Sequence, residues 1–219
     1  MVKKILGLLA FSMLTLCVAS ASDIPCTISG TAFGAPVNGT TVVDCGSLTF
    51  DMFAVENPTS GSGIPNPGQV DVLATSYYDS AAGVAYLQFN PNLTADQDDE
   101  LLFAVWGGIS SIDMTVGGEN ASVQETACSV PFSVLEVGVC PSADLLGQIT
   151  VLSNQSEQFA TFSSTSPVYV FKNINVGDSP GQLSEFTQSF GTVPEPISMV
   201  LLGSGLLGLG LLRRRSRKS

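Results

Sequence analysis

From Ser22 to Val193 the apolar residues never settle into helical spacing. They come in short alternating or continuous runs, parted by glycine pairs, prolines and polar turn residues. A strand sends successive side chains to opposite faces, whereas an amphipathic helix needs recurrence near 3.6 residues. The runs are Ser47–Val55, Val70–Ser76, Val84–Phe89, Leu101–Trp106, Ile112–Val116, Ala121–Ala127, Phe132–Val137, Gln148–Leu152, Gln158–Phe162 and Val168–Asn173. They predict an all-β fold: a single β-sandwich of about ten short antiparallel strands, an ectodomain over 22–181, with 182–193 as a last strand or a tether. Leu101–Trp106 is apolar throughout and reads as a central strand buried on both faces. Gly107-Gly108 and Gly117-Gly118 fall between consecutive runs and predict a β-meander. Asn57–Gly68 and Gly177–Gly181 read as loops, and no repeat is visible.

Both ends differ from this pattern. Lys3 and Lys4 precede an apolar run from Ile5 to Val18, and Ala19 and Ala21 put small residues where a signal peptidase reads. That order predicts a secretory signal peptide over 1–21. A lipoprotein signal at Cys17 is disfavoured by Leu16, which stands where a small residue is needed. At the other end, Ile197–Leu212 carries 16 residues without a charge, enough for a helix of roughly 24 Å. That is short for a hydrocarbon core of about 30 Å, but flanking arginines can snorkel. The run is apolar on every face and predicts a transmembrane helix rather than a core helix. Arg213, Arg214, Arg215, Arg217 and Lys218 follow as a cytoplasmic stop-transfer cluster.

The order Pro194-Glu195-Pro196, short Gly/Leu-rich apolar run, terminal basic cluster resembles the PEP-CTERM sorting signal of Gram-negative bacteria, over residues 194–219. The resemblance implies recognition of Pro194, Glu195 and Pro196 by a membrane-embedded exosortase that processes the tail, in cells that make exopolysaccharide. It implies a precursor anchored in the inner membrane and a product at the cell surface or outside the cell. Ile197 departs from the Ser or Ala common after the motif. Two prolines keep the segment out of regular helix and open to an enzyme. Ser204 and Gly208 form a small-xxx-small pair on which a partner helix could pack.

The middle of the chain holds eighteen of the nineteen acids and a single base, Lys172, a formal charge of −17. Such a field excludes nucleic acid as a partner. The densest acidic stretch is Asp96-Gln97-Asp98-Asp99-Glu100. It reads as a solvated turn before a strand, with Asp96, Asp98, Asp99 and Glu100 as candidate calcium ligands; it lacks the pattern of a helix-loop-helix calcium site. Cys26, Cys45, Cys128 and Cys140 make an even count in an exported chain and read as disulfides, for which three pairings are open. Pairing sequence neighbours, Cys26–Cys45 and Cys128–Cys140, is the simplest.

The chain has no histidine, which removes Ser-His-Asp, Cys-His and the common zinc chemistry. A Ser-Lys dyad would require Lys172, and nothing near it in sequence suggests one. Carboxylate pairs suited to a glycoside hydrolase arise by chance among so many acids. The chain therefore reads as no enzyme and without a resident cofactor. The expected role is structural or adhesive in a polysaccharide-rich layer. The alternative is a calcium-dependent carbohydrate-binding module stacking sugars on Tyr77, Tyr78, Tyr86, Tyr169 or Trp106. Trp106, at the end of an apolar run, reads as core.

Overall fold

The computed structural model describes residues 23–56, 70–132 and 138–192. Among them every regular element is a strand: β1 Asp23–Pro25, β2 Thr27–Ser29, β3 Val42–Cys45, β4 Leu48–Glu56, β5 Asp71–Val72, β6 Tyr77–Asp79, β7 Val84–Asn90, β8 Leu93–Thr94, β9 Asp98–Trp106, β10 Ile109–Val116, β11 Ala121–Cys128, β12 Leu145–Leu152, β13 Gln158–Thr165, β14 Val168–Val176, β15 Gln182–Leu183 and β16 Phe186–Thr192. The fold is all-β. Sheet A runs β1-β6-β7-β16-β10-β13, with β5 also on β7; sheet B runs β12-β11-β14-β9-β4-β3-β2; β15 and β8 form a small ribbon. Every ladder is antiparallel.

The alternation in the sequence becomes one shared core. On β7, Ala85, Leu87 and Phe89 are buried while their neighbours are half-exposed. Phe89, Phe186 and Phe190 of sheet A meet Phe50, Phe53 and Phe103 of sheet B. Phe103 has ring contacts with Phe50, Phe53, Phe89 and Phe190 at centroid distances of 6.3, 5.3, 5.9 and 5.9 Å. Phe50 and Phe53 are three residues apart, so strict alternation would put them on opposite faces. A bulge between Asp51 and Ala54 breaks the register against β9 and turns both rings inward. Met52, in the bulge, takes a φ of 57° and is exposed.

The expected meander does not form. β9 belongs to sheet B, β10 to sheet A and β11 to sheet B again, so the chain crosses between sheets at each glycine pair. Gly107 has a φ of 123° and Gly118 a φ of 92°, and a Cβ on either would lie 2.4 or 2.2 Å from a carbonyl oxygen. These glycines permit tight arches out of the sheet. The alternation that marks a strand is blind to which sheet its partner occupies.

Other boundaries shift for local reasons. Val70–Ser76 is not one strand: the chain leaves β7 at Leu73, turns through a Ser76 N to Leu73 O hydrogen bond of 3.1 Å, and returns as β6. Asp96 lies in a turn before β9, as expected, but β9 already starts at Asp98, so Asp98, Asp99 and Glu100 belong to the strand. Leu102, within the run read as buried on both faces, is half-buried. Trp106 lies outside the core, 39% exposed, because strand parity sends it to the face opposite Val105. The stretch 182–193 supplies β15 and β16, and β16 lies inside sheet A between β7 and β10. The strand expected at Phe132–Val137 lies, beyond Phe132, outside the described residues, as do the loop 57–69, the predicted signal peptide with Ala19 and Ala21, and everything after Thr192.

Both disulfides pair sequence neighbours: Cys26 with Cys45 and Cys128 with Cys140, at Cα separations of 4.4 and 5.8 Å. Each closes a short loop, for a chain-entropy contribution of about 3 kcal/mol. The second clamps the β11–β12 connection over Phe171 on the outer face of sheet B, where Phe132 packs at 6.0 Å.

Candidate functional site

The single base of the described residues is buried. Lys172 shares the inward face of β14 with Val168, Val170, Ile174 and Val176. Its antiparallel partner on β11 is Glu125, which shares its inward face with Ala121, Val123 and Ala127. Gln188, between Phe186 and Phe190 on β16, reaches across from sheet A. All three side chains are fully buried. Lys172 Nζ donates to Glu125 Oε2 at 2.8 Å and to Gln188 Oε1. Gln188 Nε2 donates to Glu125 Oε1 at 3.2 Å and to the Ser189 carbonyl at 3.3 Å. Met114 Sδ lies 3.7 Å from Nζ, and the Phe186 ring centroid 5.4 Å.

Burial is the first influence on both ionisable groups, ahead of their mutual attraction. It pushes the Glu125 carboxyl above its ordinary range and the Lys172 amine below its own. Both shifts favour the uncharged forms, as expected where water is excluded. The pair is the only salt bridge among the described residues. Removing one partner would strand the other in a dry interior.

In the sequence Lys172 stands out only as the lone amine of the domain. A signal was present. In VYVFKNINV, ASVQETAC and FTQSFGT, one polar residue interrupts an otherwise small or apolar inward stripe. Polar groups at such positions need partners, and three interrupted stripes could have been matched to one another.

A second grouping lies on the outer face of sheet A. Register aligns Tyr77, Tyr86, Ser189, Asp113 and Phe159 across five strands. Tyr77 and Tyr86 stack at 4.8 Å with rings 19° apart, and Phe159 is 73% exposed. Of the five aromatics considered for sugar stacking, these two tyrosines are brought together. Tyr78 packs towards the core and its hydroxyl lies 3.2 Å from Ser47 Oγ. Trp106 donates from Nε1 to Asp51 Oδ1 at 2.8 Å on sheet B. Tyr169 is half-buried on β14.

The candidate calcium ligands are not gathered. Asp96 precedes β9 at a φ of 61°, and strand parity sends Asp99 to the buried face away from Asp98 and Glu100. No group of three or more His, Cys, Asp or Glu side chains among the described residues is placed to hold a metal. Asp96 instead hydrogen-bonds Asp178, which raises its carboxyl above the ordinary range. Asp113 raises Glu157 by charge repulsion first, with burial and a hydrogen bond between the two carboxyls adding to it. Carboxyls in hydrogen-bond contact are closer than the ~5 Å minimum of a glycosidase pair.

These features describe an all-β, disulfide-stapled domain with a buried polar bridge and a stacked-tyrosine face. A protein-family model described as "PEP-CTERM protein-sorting motif" matches residues 192–216. The match takes in Pro194, Glu195, Pro196, Arg213, Arg214 and Arg215, with Arg217 and Lys218 just beyond it. The chain therefore carries a PEP-CTERM sorting motif, one that implies export and exosortase processing, and it begins at the last residue of β16. No curated protein matches the chain significantly. Among solved structures, "Structure of a family two carbohydrate esterase from Cellvibrio japonicus" aligns at 14% identity with a TM-score of 0.24, over 66% of this chain and 36% of that one. Overlap at that level carries no functional argument. Among the described residues no helix is long and apolar enough to cross a membrane.

Proposed function

We propose that the chain is the precursor of an exported surface or extracellular-matrix protein. Its tail holds it in the inner membrane until an exosortase acts, and its β-sandwich ectodomain then serves a structural or adhesive role in a polysaccharide-rich layer. The observation that carries this reading is the sorting motif at 192–216. The matched motif begins at Thr192, the last residue of β16, so in sequence no long linker separates the described strands from the recognition residues. A role without catalysis is part of the reading. It is supported by the absence of histidine and by disulfides that occupy all four ectodomain cysteines. The test is the size and fractionation of the protein in cells with and without an exosortase. The tail should be lost only where the enzyme is present, and Glu195→Ala should leave full-length protein in the membrane. A tail retained equally in both strains would make it a plain anchor.

A second reading rests on the Tyr77–Tyr86 stack: the outer face of sheet A binds polysaccharide, with ring faces against sugar faces. Tyr86→Ala should then abolish retention on an exopolysaccharide column without lowering the melting temperature by more than a few degrees. Loss of retention on chelation would give calcium a part in it; retention unchanged by Tyr86→Ala would remove this reading.

A further inference from the structure

Lys172, Glu125 and Gln188 are arranged for a reaction as well as for a salt bridge. The amine donates to the carbonyl oxygen of the Gln188 carboxamide, which sets that group's carbon beside Nζ as an electrophile. Glu125 spans the two nitrogens that would exchange places. Its Oε2 accepts from Nζ at 2.8 Å and its Oε1 accepts from Nε2 at 3.2 Å. The three groups are sealed between the sheets with Met114 and Phe186 against the amine, so water does not compete as nucleophile.

We propose that Lys172 and Gln188 join spontaneously in an amide cross-link, with Glu125 as the proton carrier, tying β14 of sheet B to β16 of sheet A. The step balances within the site. Lys172 gives one proton to Glu125 Oε2 and becomes a neutral amine. Its lone pair attacks Gln188 Cδ, forming the N–C bond and a tetrahedral centre. A second proton passes from the attacking nitrogen through Glu125 to Nε2. The Cδ–Nε2 bond then breaks with its electron pair, and ammonia leaves. The ammonium–carboxylate pair becomes a secondary amide, one ammonia and a protonated Glu125. No oxidant, cofactor or activating nucleotide is required.

Three general features favour the step. Burial supplies the uncharged amine that a lysine nucleophile needs. Fixed groups in contact replace a bimolecular encounter, an advantage reaching ~10⁵ M in effective concentration. The product also removes an ion pair from a dry interior, where charge is costly. The carboxyl left behind is one that burial already holds towards its protonated form.

The sequence makes the test direct. Lys172 is the only trypsin site between residues 5 and 212, and Glu157, Glu185 and Glu195 bracket the two partners for a glutamate-specific protease. The exported protein, purified from its own cells, is denatured, reduced and alkylated before digestion. Trypsin should leave the chain uncut at Lys172. The glutamate-specific protease should release a branched peptide joining the segment that starts at Gln158 to the one that starts at Phe186. Its mass should be the sum of the two less one ammonia, and fragmentation should place the branch at Lys172 and Gln188. Glu125→Gln should give the two peptides separately, with trypsin now cutting at Lys172. Separate peptides and free cleavage at Lys172 in the wild type would overturn the proposal, whether or not the variant folds. A branched peptide at wild-type yield in Glu125→Gln would overturn the part given to Glu125.

Discussion

The disulfides fall mainly on sheet B: Cys45 and Cys128 sit on its strands and Cys140 in the loop entering β12, while Cys26 lies between β1, an edge strand of sheet A, and β2 of sheet B. Sheet A, whose β16 runs straight into the sorting tail, carries neither bond within its central strands. What holds the central strands of sheet A to sheet B is the cluster of phenylalanine rings and the bridge from Gln188 to Lys172 and Glu125. The contrast teaches that β16, the strand that leads into the sorting motif, depends on the inter-sheet core. Disruption there should reach β16, whereas disruption of the Cys128–Cys140 bond should not.

The strongest way to break the contrast is Phe103→Ala, which removes a ring in contact with phenylalanines of both sheets. The expected loss is about 4 kcal/mol in denaturant unfolding. A loss below about 1 kcal/mol would mean that the two sheets do not depend on common packing. Next, replacing Cys128 and Cys140 together by Ala should cost about 3 kcal/mol. It should speed amide exchange in β11 and β12 while leaving β16 protected; equal loss of protection in β16 would erase the distinction between the sheets.

A smaller effect comes from pH. Taken alone, a raised Glu125 makes the fold lose stability as pH climbs above its ordinary value of 4.5, because the folded state keeps a proton the unfolded state has released. A lowered Lys172 makes it gain stability as pH climbs towards 10.5, because there the unfolded state holds the extra proton. A free pair retains one proton across that window and the slopes cancel. Acylated Lys172 no longer titrates, and only the Glu125 slope survives. Relative to Gln188→Leu, which cannot form the cross-link, wild-type stability should fall with rising pH above 4.5. The slope should be at most about 1.4 kcal/mol per pH unit. Parallel curves would argue for an unreacted pair. The smallest effect belongs to sheet B alone. Met52→Asn should raise stability by under about 1 kcal/mol by relieving a left-handed backbone at an exposed bulge. A loss would mean that the methionine side chain contributes packing there.

The strands themselves were legible wherever alternation was strong, as in Val84–Phe89 and Val168–Asn173. The three strands before Leu48 were missed because they are three or four residues long and polar on one side. Sheet membership was not legible at all, since Gly107 and Gly118 look alike in a hairpin and in an arch between sheets. The sorting signal was readable because its three parts must be contiguous to work. The buried bridge was not, because it draws one residue from each of three strands that span 63 positions, and only the fold brings them within reach.

The position of β16 has a further consequence for the precursor that the proposed function describes, before its tail is removed. Drag on the domain is transmitted through Thr192, the end of a strand bonded along both sides, to β7 and to β10. An edge strand under tension peels away one bond at a time. A strand with two neighbours, pulled along its axis, must shear both ladders together. On the proposed reading, a precursor still held by its tail would meet a pull at a place where two hydrogen-bonded ladders share the load.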